Sequence, residues 1–246
     1  MTIRDIFNWI NDIAPFADQE SWDNSGFMVG DLNRQCTGVV LTLDVTKEAV
    51  ATAVSTGANV ILAHHPMIFH PLRSVDANSL PAQCLLHGIT VLSAHTNLDK
   101  AANGVNDVLA SVLNLSDVSV AEDGMCRIGK LPAPMTAEQL ADHVKKSLGA
   151  DVIRYTNSEK TLTTVGICGG SGGGFWRDLR RQGCDAVVTG DLHHDVLVDA
   201  SNEGYTVVDG THYFTENPVM KMLQGKLAEK DVPAILMPAC PPYCIK

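Results

Sequence analysis

Aromatic side chains are scarce in this chain, 5% of its 246 residues, so its core has to be built mainly from Val, Ile, Leu and Ala. Basic charge is scarce as well: 18 Lys and Arg stand against 28 Asp and Glu, for a net charge of −10. That balance argues against broad binding to nucleic acid or to an acidic membrane surface, while leaving room for a local basic patch. Long hydrophobic runs are missing. No apolar stretch approaches the roughly 18–20 residues that span a bilayer. The opening MTIRDIFNWINDIAPF does not read as a secretory signal; Ile3, Ile6, Phe7, Ile10 and Ile13 instead share one face of an amphipathic helix. The seven cysteines, an odd number spread along the chain, do not form a disulfide framework, and Cys240 and Cys244 lack a second pair at zinc-site spacing. They are expected to be reduced thiols in a cytoplasmic protein. Low-complexity tracts are absent.

What is present is a globular composition, 45% hydrophobic and 19% charged, enough for one large domain or two of ordinary size. Two parts of the chain align without gaps at an offset of 126 residues: GVVLTLDV (38–45) on TVGICGGS (164–171), and GANVILAH (57–64) on GCDAVVTG (183–190). A third pair follows at an offset of 116, GITVLSAH (88–95) against GYTVVDGTH (204–212). Each copy reads strand, helix, strand, helix, strand, with helices expected near 46–56, 78–87, 174–182 and 194–203. Such alternation predicts βαβ units and a mainly parallel sheet in each copy. The expected division is a first α/β repeat over 1–117, an intermediate segment over 118–162, and a second repeat over 163–246. The fold class is therefore α/β, two duplicated units.

The chemistry-bearing residues gather at strand ends, where α/β folds usually place ligands. His64 and His65 follow the apolar run Asn59-Val60-Ile61-Leu62-Ala63. His95 and Asp99 follow the third strand of copy one; His212 and Glu216 follow the third strand of copy two. A His-x3-Glu spacing puts both groups on one side of a helical turn. Three imidazoles and two carboxylates (His64, His65, Asp99, His212, Glu216) suit Zn, Fe, Mn, Co or Ni better than Ca or Mg. Each residue also has a plainer role open to it. A histidine ending a strand is commonly a hydrogen-bonded structural residue, Asp99 could cap a helix beginning near Ala101, and Glu216 could complement a helix dipole. What those roles leave unexplained is why three strand ends share histidine with a nearby acid. If the copies pack with their strand ends facing, these groups converge on a metal.

TGDLHHDV (189–196) adds Asp191, His193, His194 and Asp195 at a further strand end, as ligands, supporting partners or proton-transfer groups. CGGSGGGFW (168–176) could cradle phosphate through backbone amides, or could be no more than a tight strand-to-helix turn. It matches neither a P-loop nor the dinucleotide fingerprint.

AHHPMIF (63–69), HTNLD (95–99), GDLHHD (190–195), the HxxxE of 212–216, SWDNSGFMVGD (21–31) and the GGSGGG turn, taken in order, resemble the dinuclear-metal proteins called GTP cyclohydrolase 1 type 2 homologues, or NGG-one-interacting factor three-like proteins. The resemblance covers essentially the whole chain. It implies His64, His65, Asp99, His212 and Glu216 as ligands of two divalent ions, with Glu216 bridging. His95 and His194 would then lie around the site; on their chemistry, His95, His194 or Asp191 could move protons. It also implies intertwined α/β repeats with the metal site between them, and a toroidal homohexamer. Two function classes follow: a metal-dependent hydrolase acting on a nucleotide-like or phosphoester small molecule, or a non-catalytic metal-binding scaffold or regulator. A ring threading nucleic acid is disfavoured by the acidic charge.

Overall fold

The computed structural model describes residues 1–244, so the last two residues of the expected second repeat lie outside the described residues. The chain divides into two compact units, Met1–Ala102 with Met220–Ala239, and Asn103–Val219 with Cys240–Lys246.

The first unit opens with α1 (Ile3–Ile13), started by a capping box in which Thr2 and Asp5 satisfy each other's backbone amides. It buries Ile3, Ile6, Trp9 and Ile10, close to the face read from the periodicity. There follow β1 (Gly26–Val29), β2 (Val39–Thr42), α2 (Lys47–Thr56), β3 (Val60–Ala63), α3 (Leu80–Leu86), β4 (Thr90–Ser93) and the short α4 (Thr96–Lys100). α2 is capped by Thr46 and ends at Gly57, whose φ of +74° supplies the left-handed turn that lets β3 run back parallel to β2. Strands β2, β3 and β4 are parallel and adjacent, with Val39, Val40, Leu41 and Thr42 level with Val60, Ile61, Leu62 and Ala63. All four residues of each strand are buried, which explains why they read as continuous apolar runs rather than alternations. One sheet face is covered by Ala49, Val50 and Ala53 of α2 and Cys84 of α3, packed on Val40, Ile61 and Val91.

The second unit begins with α5 (Val105–Val112) and continues through β5 (Ser116–Val120), β6 (Arg127–Met135), α6 (Ala137–Leu148), β7 (Arg154–Tyr155), β8 (Leu162–Ile167), α7 (Trp176–Arg181), β9 (Ala186–Thr189), α8 (His194–Asn202), β10 (Thr206–Asp209) and α9 (His212–Glu216). Its sheet runs β5-β6-β8-β9-β10-β7. The stretch 118–162 is thus structured: it supplies the end of β5, all of β6, α6 and β7. Strands β8, β9 and β10 are parallel, the counterparts of β2, β3 and β4, while β5, β6 and β7 pair antiparallel. Alternate residues of β9 face opposite ways. Ala186 and Val188 pack with α5 and α6, Val187 with Trp176 and Leu179 of α7. Each fully buried aliphatic side chain contributes roughly 1.5–3 kcal/mol, so both sheet faces are held.

From the second unit, α10 (Pro218–Ala228) carries the chain back to the first, where β11 (Ala234–Leu236) pairs parallel with β2 and completes the sheet order β1-β4-β3-β2-β11. The result is a mixed α/β fold with two sheets, parallel at the heart of each. All seven cysteines are free. Among the described residues no helix is long and apolar enough to cross a membrane.

Candidate metal centre

In the first unit the carboxyl ends of β2, β3 and β4 carry Asp44, His64-His65 and His95. The parallel ladder continues past the strands: His64 N–H donates to Thr42 O and His65 N–H to Leu43 O. The two rings are therefore held by backbone before any side-chain contact is made. His64 is fully buried; its Nδ1 lies 2.8 Å from Ala94 O. Nδ1 of His65 lies 2.7 Å from Asp44 Oδ1, and Nδ1 of His95 lies 2.7 Å from Asp23 Oδ1. A carbonyl or carboxylate oxygen only accepts, so each Nδ1 carries a proton. The three rings lie 5.0 to 5.5 Å apart. They offer three nitrogens within 4.8 Å of one another, a group that could hold a metal ion. Asp99, on α4, brings Oδ1 to 3.6 Å from His64 Nε2. It lies inside α4 and caps no later helix, since α5 starts after Gly104.

Asp23 is the hub of this arrangement. Its carboxylate also accepts from Thr96 N–H, Thr96 Oγ1, Ser25 Oγ and Asn24 N–H. Burial pushes its carboxyl up, but the hydrogen bonds from His95 and Thr96 outweigh that and hold it well below the usual carboxylate range. It is therefore an anion that keeps the His95 ring oriented.

In the second unit His212 opens α9 and Glu216 closes it, and the i, i+4 spacing sets His212 Nε2 3.0 Å from Glu216 Oε2. Nδ1 of His212 lies 2.7 Å from Asp191 Oδ2 and 3.3 Å from Ser171 Oγ. The fourth imidazole is thus oriented as the other three are. Both flanking turns sit in backbone conformations that cost energy: Asp191 has φ +49° and Thr211 φ +61° with ψ 153°, a region nearly confined to glycine. Strain of about 1–3 kcal/mol at such positions is commonly found at functional sites.

A model of the family described as Duf34/NIF3 (NGG1p interacting factor 3) matches residues 1–239. The chain belongs to this family. It is 32% identical over 242 residues to a GTP cyclohydrolase 1 type 2 homolog of Clostridium perfringens, covering 94% of this chain and 92% of that one. A protein of Helicobacter pylori named GTP cyclohydrolase 1 type 2 is 31% identical over 219 residues, with 87% and 86% covered. In structure the chain is similar to Staphylococcus aureus protein SA1388, with a TM-score of 0.93 at 26% identity and 100% and 99% covered.

In this Duf34/NIF3 chain the glycine-rich turn works as a close-packing device. A Cβ on Gly170, whose φ is +63°, would fall 2.1 Å from Glu216 Oε1. One on Gly172 would fall 2.5 Å from Cys168 Cβ. The amides of Gly169, Gly170 and Gly172 donate to Asn106 Oδ1, Thr215 Oγ1 and Thr189 Oγ1. Those three are engaged within the protein, which favours the tight-turn reading over a phosphate cradle. His194, the first residue of α8, lines a separate open cavity of about 500 Å³ with Arg154, Tyr155, Asn157 and Leu197. Neither Asp191, His212 nor Glu216 lines that cavity.

Sequence reasoning gave no role to Asp23 or Asp44. Asp44 ends a strand beside the histidine strand, a signal that was there to be used. Asp23 lies 72 residues from His95, and no local pattern links the two.

Proposed function

We propose that the chain is a divalent-metal-dependent hydrolase acting on a nucleotide-like or phosphoester substrate. Two ions would be held by His64, His65, Asp99, His212 and Glu216. The observation that carries this reading is the shared anchoring of four imidazoles: His64, His65, His95 and His212 each have Nδ1 held against an oxygen acceptor, the usual arrangement of a metal-bound histidine. A carboxylate as buried as Glu216, 3% exposed, is also favoured beside a cation.

The ions, when bound, supply Lewis acidity and a lowered pKa for water. The chain's own residues do the rest. Asp44 and Asp191 fix the rings of His65 and His212. His95, held by ionised Asp23, is the proton-transfer group, in the manner of a base and its orienting acid. Asp191 is a positioning residue, and His194, in its own cavity, is given no step. The assembly expected with this reading is a homohexamer, to be checked by solution mass.

The test is metal analysis of protein purified without chelators, followed by a hydrolysis screen over nucleotides and phosphoesters. The expected result is close to two divalent ions per chain and metal-dependent turnover of at least one substrate class. Protein that stays metal-free after incubation with Zn, Mn, Fe, Co and Ni would overturn the reading.

A further inference from the structure

Two triangles of rings share one corner. His64, His65 and His95 form the first, with sides of 5.0, 5.2 and 5.5 Å. Trp22, Phe69 and His95 form the second, with sides of 5.8, 6.1 and 6.2 Å. Trp22 and Phe69 lie within 29° of parallel, and the imidazole of His95 stands across them at 74° and 76°. Both are exposed, Trp22 by 57% and Phe69 by 39%, whereas Trp9 and Trp176 are 9% and 2% exposed. In a chain so poor in aromatics, two open rings beside the imidazole cluster call for an explanation. They are also held in place. Trp22 adjoins Asp23, whose side chain is buried and hydrogen-bonded, and Asn24 Nδ2 donates to Ile68 O at 2.6 Å, tying the Phe69 loop to the same turn.

We infer that Trp22 and Phe69 are the stacking surface for a planar heteroaromatic ring of the substrate, one the size of a nucleobase. A ring laid on them brings its edge to His95, the group proposed to move protons. An aromatic face recognises any such ring by stacking and dispersion, and excludes none by hydrogen bonding. This inference rests on the hydrolase reading and narrows its substrate class: a phosphoester without a planar ring lacks the larger part of its binding surface.

The experiment uses the full chain as purified. The tryptophan emission of wild type minus that of Trp22→Phe isolates Trp22, and it is followed during titration with guanosine 5′-monophosphate and, separately, ribose 5-phosphate. The nucleotide is expected to quench Trp22 with saturation, and the sugar phosphate to leave it unchanged. By calorimetry, Trp22→Ala and Phe69→Ala should each weaken nucleotide binding at least about fivefold. Trp22→Tyr should restore it to within about threefold of wild type, which separates lost stacking from misfolding. Metal content should stay at the wild-type value in all variants, since neither ring is a proposed ligand. Equal binding of both probes, or nucleotide binding unaffected in Trp22→Ala, overturns the inference while leaving metal binding and hydrolysis to their own assays. A change of oligomeric mass in Trp22→Ala with no nucleotide binding in wild type also overturns it, in favour of a contact between copies.

Discussion

At three aligned positions the two units make opposite choices. Position 44 is Asp and its counterpart 170 is Gly; 64 is His and 190 is Gly; 65 is His and 191 is Asp. In the first unit the strand ends themselves present the side chains, with carboxylate Asp44 holding imidazole His65. In the second unit the strand ends give up their side chains. A Cβ on Gly170 would strike Glu216, and a Cβ on Gly190 would fall 2.5 Å from His212 N. The space is filled by the short helix, which carries the histidine and the acid. The remaining strand-end acid, Asp191, holds His212 across from it. α4 and α9 match residue for residue at an offset of 116, yet the first places Thr96 and Lys100 where the second places His212 and Glu216. One scaffold therefore offers two places for the proposed ligand groups: the first unit draws on its strand end for His64 and His65 and on α4 for Asp99, the second on α9 for both His212 and Glu216.

The strongest way to break this comparison is to remove one proposed ligand from each unit. His65→Ala and Glu216→Ala are each expected to reduce metal content to background by mass spectrometry of the purified protein. Wild-type content in either variant would remove that residue from the proposed set. Next in size is Gly190→Ala, whose new methyl has only backbone to meet; thermal unfolding should show a loss of about 1–3 kcal/mol. Gly174→Ala, with nothing within 4 Å of the new Cβ, is the control and should stay within about 0.5 kcal/mol. If the two glycine variants melt alike, the space argument for the second unit is wrong.

The equivalence of Asp44 and Asp191 as orienting acids can be sharpened by Asp44→Asn and Asp191→Asn. Each is expected to weaken metal affinity about 10- to 100-fold in competition with a chelator, the usual effect of losing a ligand's hydrogen-bond partner. An effect confined to one unit would show that only that imidazole is held for metal binding. The smallest effect tests where the copies agree. Gly57 and Gly183 occupy the same place, with φ of +74° and +91° and open space around them. Gly57→Ala and Gly183→Ala should each cost about 1 kcal/mol in denaturant unfolding, from backbone strain alone. Unequal costs would mean that the two turns are not structural copies.

Much of this molecule was legible because its signals are local. The apolar run at 59–63 and its aligned segment at 183–190 read as strands and contain β3 and β9. The helices expected near 46–56 and 194–203 appear as α2 and α8, and the HxxxE spacing gave a true helical contact between His212 and Glu216. Thr2 with Asp5, and Gly57 after α2, mark helix ends within a few residues of chain. Less legible was the sheet order. The antiparallel strands β5, β6 and β7 arise from a stretch read only as intermediate, and pairing direction is decided by strands far apart in sequence.

By itself, then, the sequence determined the duplicated βαβ pattern, the aliphatic core and the placing of histidines at strand ends, since these follow from side-chain periodicity and backbone propensity over a few residues. Only the tertiary structure decided that β11 returns to pair with β2, that Asp23 holds His95, that Gly170 makes room for Glu216, and that Trp22 and Phe69 stand open beside the imidazoles. The physical reason is the range of the interaction. A hydrogen bond or a close packing contact depends on where the folded backbone brings two distant residues, and no window of the sequence contains both.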